Sequence, residues 1–140
     1  MEQKTRRQFV SDAAKAAAVA AAVTTLPSFS DNNNDMAKKN SFVHHVYFWL
    51  KNPASNEDKQ QLLQALRKLA KVKTIQMAHI GEPADTNREV IDRSYAVSWL
   101  LFFKNKADQD SYQTDPIHLD FVAKNQHLWS KVVVYDSVAV

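Results

Sequence analysis

The sequence contains no cysteine and only one glycine, Gly81, and these absences exclude several kinds of site. Without cysteine there is no disulfide framework, no thiol nucleophile and no thiolate metal site. A loop that wraps a phosphate group with its backbone needs several glycines, so the single glycine excludes that class of nucleotide site. The lack of cysteine is compatible with any cellular compartment.

The excess of positive over negative charge is also small. The formal net charge is +3 over 140 residues, and basic and acidic residues are interspersed along the chain. A surface that binds nucleic acid needs clustered Lys and Arg, so no nucleic-acid partner is predicted. The length suits one domain, and a hydrophobic fraction of 45% is ordinary for a globular protein.

The first 36 residues resemble an export segment rather than part of the fold. Arg6 and Arg7 are followed by Phe9 and by an alanine-rich run over residues 13–23, an order typical of a twin-arginine signal. This run is shorter than the ~20 apolar residues that span a bilayer, so no stable membrane insertion is expected after signal removal. The alternative is an alanine-rich surface helix. We predict an export signal and polar linker over residues 1–36, one domain over residues 37–140, and a periplasmic location in a bacterium.

Hydrophobic patterns in the remaining chain predict the order β-α-β, β-α-β. Strands are predicted over residues 42–50, 73–80, 95–103 and 132–138, with helices between them. Ser55 is expected to cap the first helix, and Asp115 the last, with Pro116 at its first position. This order is that of an α+β ferredoxin-like fold, a four-stranded antiparallel sheet with helices on one face.

Both faces of the predicted sheet are largely apolar. In the first strand Phe42, Val46 and Phe48 alternate with Tyr47 and Trp49, so each face receives large side chains. Helices cover one face, and the other would be an unusually large apolar patch on a monomer. A second copy of the chain would cover it. We therefore expect a homodimer in which two sheets face each other as a dimeric α/β barrel.

Several short motifs together resemble the stress-responsive A/B barrel (Dabb) family. They are spread over residues 42–138 and comprise His45, Ser94-Tyr95-Ala96-Val97-Ser98, Tyr112, Pro116 with His118, Phe121, Trp129 and the strand over residues 131–136. The resemblance implies a dimeric α/β barrel fold. Most members of this family have no assigned activity.

The resemblance also implies a candidate catalytic pair, Tyr112 and His118. A plant polyketide cyclase of the family uses a tyrosine and a histidine in an aldol cyclisation, and these two residues correspond to them with the same spacing. Its first-strand histidine corresponds to His45. Val97 and Asp115 stand where histidines occur in that enzyme or in the family.

Apart from the resemblance, the positions of Tyr112 and His118 in the sequence are compatible with acid–base chemistry. If Pro116 is the first helical residue, His118 is the third, and the positive helix end disfavours an imidazolium ion there. A neutral imidazole beside the Tyr112 phenol could take a proton from the carbon next to a carbonyl group. The alternative is a histidine that packs and forms hydrogen bonds at a helix start.

Five strand residues are candidates for binding a ligand inside the barrel: His45, Tyr47, Trp49, Val97 and Trp99. The alternative for the aromatic residues is core and dimer interface. His44 is expected to face the helices as a core histidine, since adjacent strand residues point to opposite faces.

No metal site and no cofactor are predicted, because no short-range ligand spacing occurs; a metal would need His45, His118 and Asp115 to converge.

Three functions stay open. The chain is a barrel that binds a small apolar or aromatic ligand, a cyclase- or lyase-type enzyme, or a structural stress-response protein. A cavity of roughly 300 Å³ or more between sheet and helices, reached by Tyr112 and His118, would favour the first two.

Overall fold

The computed structural model describes residues 41–140, in which one face of a four-stranded antiparallel sheet is covered by helices. The elements in chain order are β1 (Phe42–Leu50), α1 (Asn56–Leu69), β2 (Ile75–Gly81), β3 (Val97–Phe103), α2 (Lys106–Thr114), α3 (Pro116–Asn125), a short 3₁₀ turn (Gln126–Leu128) and β4 (Trp129–Val138). The predicted export signal lies outside the described residues. Within residues 41–140, no helix is long and apolar enough to cross a membrane.

The strands are arranged in the order β2-β3-β1-β4, and each neighbouring pair is antiparallel. This arrangement confirms the predicted ferredoxin-like fold. β3 begins at Val97 rather than at the predicted Tyr95. β4 begins at Trp129 rather than Val132, because a register shift at the end of β1 lets Leu50 pair with Trp129.

The hydrophobic core lies between the sheet and the helices. Along β1, Phe42, Val46 and Phe48 are buried while the alternate residues are only half-buried. The buried leucines of α1 and the buried side chains of β3 belong to the same core cluster. Each fully buried side chain of this size stabilises the fold by about 1.5–3 kcal/mol relative to an exposed one.

The first helix begins as the sequence predicts. The Ser55 side chain accepts a hydrogen bond from the backbone N–H of Asp58 at 3.1 Å, which satisfies one of the free donors of the first turn. Acidic residues lie in the first turn of α1, and Arg67 and Lys68 lie in the last. These charges oppose the partial charges at the helix ends.

A single residue, Asp115, ends α2 and begins α3. Its backbone N–H donates to the carbonyl of Tyr112 at 3.2 Å, and its carboxylate accepts from the N–H of Ile117 at 2.8 Å. Pro116 then occupies the start of α3, as predicted. The resulting sharp turn places the last turn of α2 next to the first turn of α3.

The second face of the sheet carries no helix within the described residues. We call it the open face; it comprises Val43, His45, Tyr47 and Trp49 of β1 and the side chains beside them on the other strands. The four β1 residues are half-buried. The open face is the one that the sequence assigns to a second copy of the chain.

Candidate functional site

A pocket of about 160 Å³ lies between the sheet and the helices α2 and α3, and we call it the helix-side pocket. Its polar side chains are His44, Tyr112, Gln113 and His118. Its other walls are valines, one leucine and aromatic side chains. The pocket is thus apolar apart from two imidazoles, one phenol and one amide.

The structure brings Tyr112 and His118 together in this pocket. Their ring centroids lie 4.6 Å apart, and the rings are inclined by 51°. Tyr112 comes from the last turn of α2 and His118 from the first turn of α3, so the turn at Asp115 sets their separation. Tyr112 is almost completely buried, with 1% of its surface exposed.

The Tyr112 hydroxyl is held by one donor. The indole Nε1–H of Trp99 donates to the Tyr112 oxygen at 3.3 Å. Burial raises the pKa of Tyr112 to about 12, and the bond from Trp99 opposes this effect only partly. The phenol therefore keeps its proton at neutral pH. Among residues 41–140, Trp99 is the one hydrogen-bond partner of this hydroxyl, so its proton is left for a ligand.

His118 is a neutral imidazole whose tautomer is fixed by the backbone. Its Nδ1 lies 3.1 Å from the carbonyl oxygen of Gln113. A carbonyl only accepts hydrogen bonds, so Nδ1 carries the hydrogen and Nε2 keeps its lone pair. Burial lowers the pKa of His118, and the charge of His44 lowers it further; the Gln113 bond and Asp115 oppose the shift. Burial, rather than the helix end invoked from sequence, is the main cause.

His44 is a third titratable group of the helix-side pocket. Its ring lies 5.8 Å from the Tyr112 ring, and the residue is buried. Its Nδ1 lies 2.6 Å from a carboxylate oxygen of Asp136, the residue opposite it on β4. Because a carboxylate accepts, Nδ1 is the donor in this hydrogen bond. Asp136 thus orients His44 and fixes its tautomer.

His45, which the family resemblance matched to the first-strand histidine of the plant cyclase, lies on the open face. Adjacent residues of a strand point to opposite faces, and it is His44 that lines the pocket with Tyr112. The alternation of His44 with Val46 and Phe48 does signal this placement. The Asp136 partner gives no such signal, since it is 92 residues away along the chain.

The five predicted ligand-binding residues lie on two different faces. Trp99 lines the helix-side pocket, and Val97 is fully buried in the core behind it. His45, Tyr47 and Trp49 lie on the open face. The register explains the division: Val46 pairs with Trp99 and Phe48 with Val97, and residues directly opposite each other share a face.

His45 and His118 therefore lie on opposite sides of the sheet and do not converge. In the part of the chain that the structure describes, no group of three or more His, Asp or Glu side chains could hold a metal ion. The chemistry available in the helix-side pocket is acid–base chemistry by imidazole and phenol groups.

A family model described as the stress responsive A/B barrel domain matches residues 42–139. No protein with a curated description matches the chain. Several solved structures share its fold. One is a Dabb family protein with a ferredoxin-like fold from Mesorhizobium loti, with 20% identity, coverage of 73% of this chain and 99% of the other, and a TM-score of 0.62.

Two further relatives differ in what is known of them. A dimeric ferredoxin-like protein of unknown function from Thermobifida fusca has 16% identity, coverage of 72% of this chain and 92% of the other, and a TM-score of 0.59. The hydroxynitrile lyase from Passiflora edulis has 20% identity, coverage of 71% and 93%, and a TM-score of 0.59. At these identities the likeness shows the fold alone.

Proposed function

Because the chain belongs to the stress-responsive A/B barrel domain family, we propose that its helix-side pocket binds a small neutral carbonyl compound and catalyses a proton transfer on it, as lyases and cyclases do. The convergence of His44, Tyr112 and His118 on one apolar pocket carries this proposal. Nδ1 of each imidazole donates to an acceptor of the chain itself, the Gln113 carbonyl for His118 and the Asp136 carboxylate for His44, which leaves Nε2 for a ligand.

Each group has a distinct role in the proposed step. Nε2 of His118 takes a proton from the carbon next to the carbonyl group. The electron pair of the C–H bond forms a carbon–carbon double bond, and the π pair of the carbonyl group moves to its oxygen. The Tyr112 hydroxyl donates a hydrogen bond to that oxygen. The proton returns from the imidazolium at the end of the step. His44, held by Asp136, is the second imidazole that can accept or return a proton.

The size and lining of the pocket restrict the ligand. The volume of about 160 Å³ is below the roughly 300 Å³ expected of a binding cavity, so the pocket has room only for a small ligand. None of the described residues that line the pocket is Lys, Arg, Asp or Glu. A charged ligand would be desolvated there without a partner, which favours a neutral apolar or aromatic compound.

One lyase reaction suits the same groups. The Passiflora edulis relative is a hydroxynitrile lyase, and a hydroxynitrile could be opened here in a balanced step. A basic Nε2 takes the hydroxyl proton, the carbon–oxygen double bond forms, and the bond to the nitrile carbon breaks. Cyanide leaves with that electron pair and takes up the same proton from the imidazolium ion, so hydrogen cyanide is released and the imidazole is neutral again.

The open face supports the proposal of a homodimer. Val43, Leu100 and Phe102 lie together on this face and are only half-buried in one copy of the chain. A second copy would bury them by self-complementary packing of two sheets. The Thermobifida fusca relative is dimeric with the same fold.

Export by the twin-arginine route is a separate proposal, which rests on Arg6, Arg7 and the alanine-rich run.

The catalytic proposal can be tested with a simple ketone, without knowledge of the natural substrate. Acetophenone in deuterium oxide is incubated with the full chain, and loss of its methyl proton signal is followed by NMR. We expect the native chain to exchange the methyl protons faster than buffer alone does. His118→Ala should slow this exchange about 10²-fold or more relative to the native chain. His79→Ala, on the open face, should leave the exchange rate unchanged. The cyanohydrin of benzaldehyde tests the lyase step in the same variants. Exchange and cleavage at the buffer rate, or rates unaffected by His118→Ala, would leave ligand binding as the function.

A further inference from the structure

Two histidines, His45 and His79, lie on either side of Leu100 on the open face. His45 of β1 is paired with Leu100 of β3, and His79 of β2 is paired with the same leucine from the other side. Residues directly opposite each other in neighbouring strands share a face. Tyr135 of β4 pairs with His45 and extends the line to the fourth strand. We call Tyr135, His45, Leu100 and His79 the histidine row.

The histidine row lies within the surface that a second copy of the chain is expected to cover. The next row towards the start of β1 contains Val43 and Phe102, with Met77 of β2 beside Phe102. Leu100 and Phe102 are half-buried in one copy, and Met77 is 37% exposed. A second sheet that covers these apolar side chains also removes water from the imidazoles on both sides of Leu100.

The groups that contact the His45 imidazole on this face are phenols rather than carboxylates. Its Nδ1 lies 3.1 Å from the hydroxyl oxygen of Tyr47, and the two ring centroids are 4.3 Å apart. Tyr47 lies 5.9 Å from Tyr135 between ring centroids. A tyrosine phenol is uncharged near neutral pH, and burial raises the pKa of Tyr47 further. The phenols therefore provide dipoles but no negative charge for an imidazolium ion.

The other charged groups near this face lie at the far end of β1. Among the residues of the four strands, Lys131 is the one further charged side chain on the open face, and its ammonium nitrogen lies 4.4 Å from the Trp49 ring centroid. Asp92 is joined to Trp49 through the hydrogen bonds of Ser94. Trp49 is about 14 Å along the strand from His45 at ~3.4 Å per residue. Over that distance salt largely screens both charges.

A positive charge on His45 is already disfavoured in a single copy of the chain. Burial lowers the pKa of His45, and the charges of His79 and of His44 on the other face lower it further. Coverage by a second sheet would increase the burial. Because a two-fold interface presents the same surface from both copies, it would also bring the imidazoles of the second copy to the same contact.

We propose that the histidine row is a pH-sensitive contact between two copies of this chain, which associate when His45 and His79 are neutral and separate when these imidazoles are protonated. The inference rests on the proposed homodimer and is independent of the proposed catalysis. A buried imidazolium without an acidic partner is costly, so protons bind the separated chains more readily than the dimer. The dimer is therefore favoured above the ordinary histidine pKa of about 6.5, and association weakens as the pH falls below it.

Sedimentation velocity over a dilution series of the full chain, at pH 7.5 and at pH 5.5, tests the proposal. Exclusion of one proton from the contact raises the dissociation constant about tenfold for each pH unit below the pKa of the free group. Since each copy contributes His45, we expect a rise of at least about tenfold. Circular dichroism at both pH values distinguishes dissociation from unfolding. A dimer with the same constant at both pH values would overturn this inference alone, whereas a monomer at pH 7.5 would overturn the homodimer as well.

Variants assign the pH dependence to the histidine row. The double variant His45→Gln with His79→Gln keeps polar groups that stay uncharged, so its dissociation constant should change less than about threefold between the two pH values. His45→Arg carries a permanent charge and should be a folded monomer at both. His118→Asn, on the other side of the sheet, is the matched control and should dissociate at pH 5.5 as the native chain does. A native pH dependence in the double variant, or a stable His45→Arg dimer, would contradict the assignment.

Discussion

His44 and Asp136 are 92 residues apart along the chain, yet a ring nitrogen of one lies 2.6 Å from a carboxylate oxygen of the other. The two residues face each other across β1 and β4. Since Asp136 is partly exposed and His44 is buried, the contact connects the helix-side pocket to the rim of the sheet. It is the feature of this pocket that is most easily tested alone.

Asp136→Asn should release the tautomer of His44 without removing the imidazole. An amide can offer either a donor or an acceptor, so the Nδ1 proton is no longer enforced. We expect nitrogen NMR to show one His44 tautomer in the native chain and a mixture in the variant. The acetophenone exchange rate should fall about tenfold or more. A single unchanged tautomer together with a native rate would contradict the orienting role.

Tyr112→Phe should destabilise the fold even though it removes one oxygen only. The buried Trp99 indole N–H would lose its acceptor, which costs about 1–3 kcal/mol for an unsatisfied buried donor. Chemical denaturation measures the loss. Tyr135→Phe is the matched control, because that ring is largely exposed and should change stability by less than ~0.5 kcal/mol. Equal effects of the two variants would show that Tyr112 is not held as described.

Stability should fall on mild acidification because of His118. Its folded-state pKa lies below the ordinary value of 6.5, so the unfolded chain takes up the proton first as the pH drops. The loss begins near the ordinary value and continues down to the lowered folded-state pKa, where both states are protonated. We expect the drop in melting temperature between neutral pH and pH 5 to be smaller for His118→Asn than for the native chain. An identical drop in both would refute the shift.

Acidic substitutions on the two faces should have different outcomes. Trp99 and Phe103 are buried within one chain, so Trp99→Glu or Phe103→Glu should cost several kcal/mol and unfold it. Phe102 is half-buried on the open face, and Phe102→Glu should instead yield a folded monomer. Sedimentation velocity and circular dichroism distinguish these states. A native full chain that sediments as a stable monomer would rule out the homodimer.

Export can be tested through the paired arginines. Replacing Arg6 and Arg7 by lysine keeps the charge but removes the guanidinium groups of the twin-arginine motif. We expect the protein to be retained in the cytoplasm of a bacterial host, as measured by fractionation and immunoblotting. Undiminished periplasmic yield would exclude this route. Lysine substitution at Arg88 and Arg93 provides a charge-matched control.

The fold and one half of the helix-side pocket could be predicted from the sequence because both depend on local patterns. Strand alternation, the Ser55 cap and the Asp115-Pro116 helix start each depend on neighbouring residues. The same holds for Tyr112 and His118, which are six residues apart around that start. These signals are short-range, and packing in the structure does not override them.

The other half of the pocket depends on pairings between distant strands. Strand alternation already places His44 on the helix side, but its contact with Asp136 is decided by the β1–β4 register. Trp99 and Tyr47 lie on opposite faces of the sheet, and this placement likewise follows from the β1–β3 register. A single sequence shows hydrophobic alternation but not which residues lie opposite each other.

The turn at Asp115 implies an order in which the helix-side pocket is assembled. Tyr112 and His118 are brought together by a local helix–helix junction, which can form as soon as α2 and α3 exist. His44 acquires its partner only when β4, the last strand among the described residues, pairs with β1. A chain interrupted before Asp136 would therefore have the tyrosine and one histidine but no oriented second imidazole. During synthesis the pocket becomes chemically complete only after β4 has emerged and paired with β1.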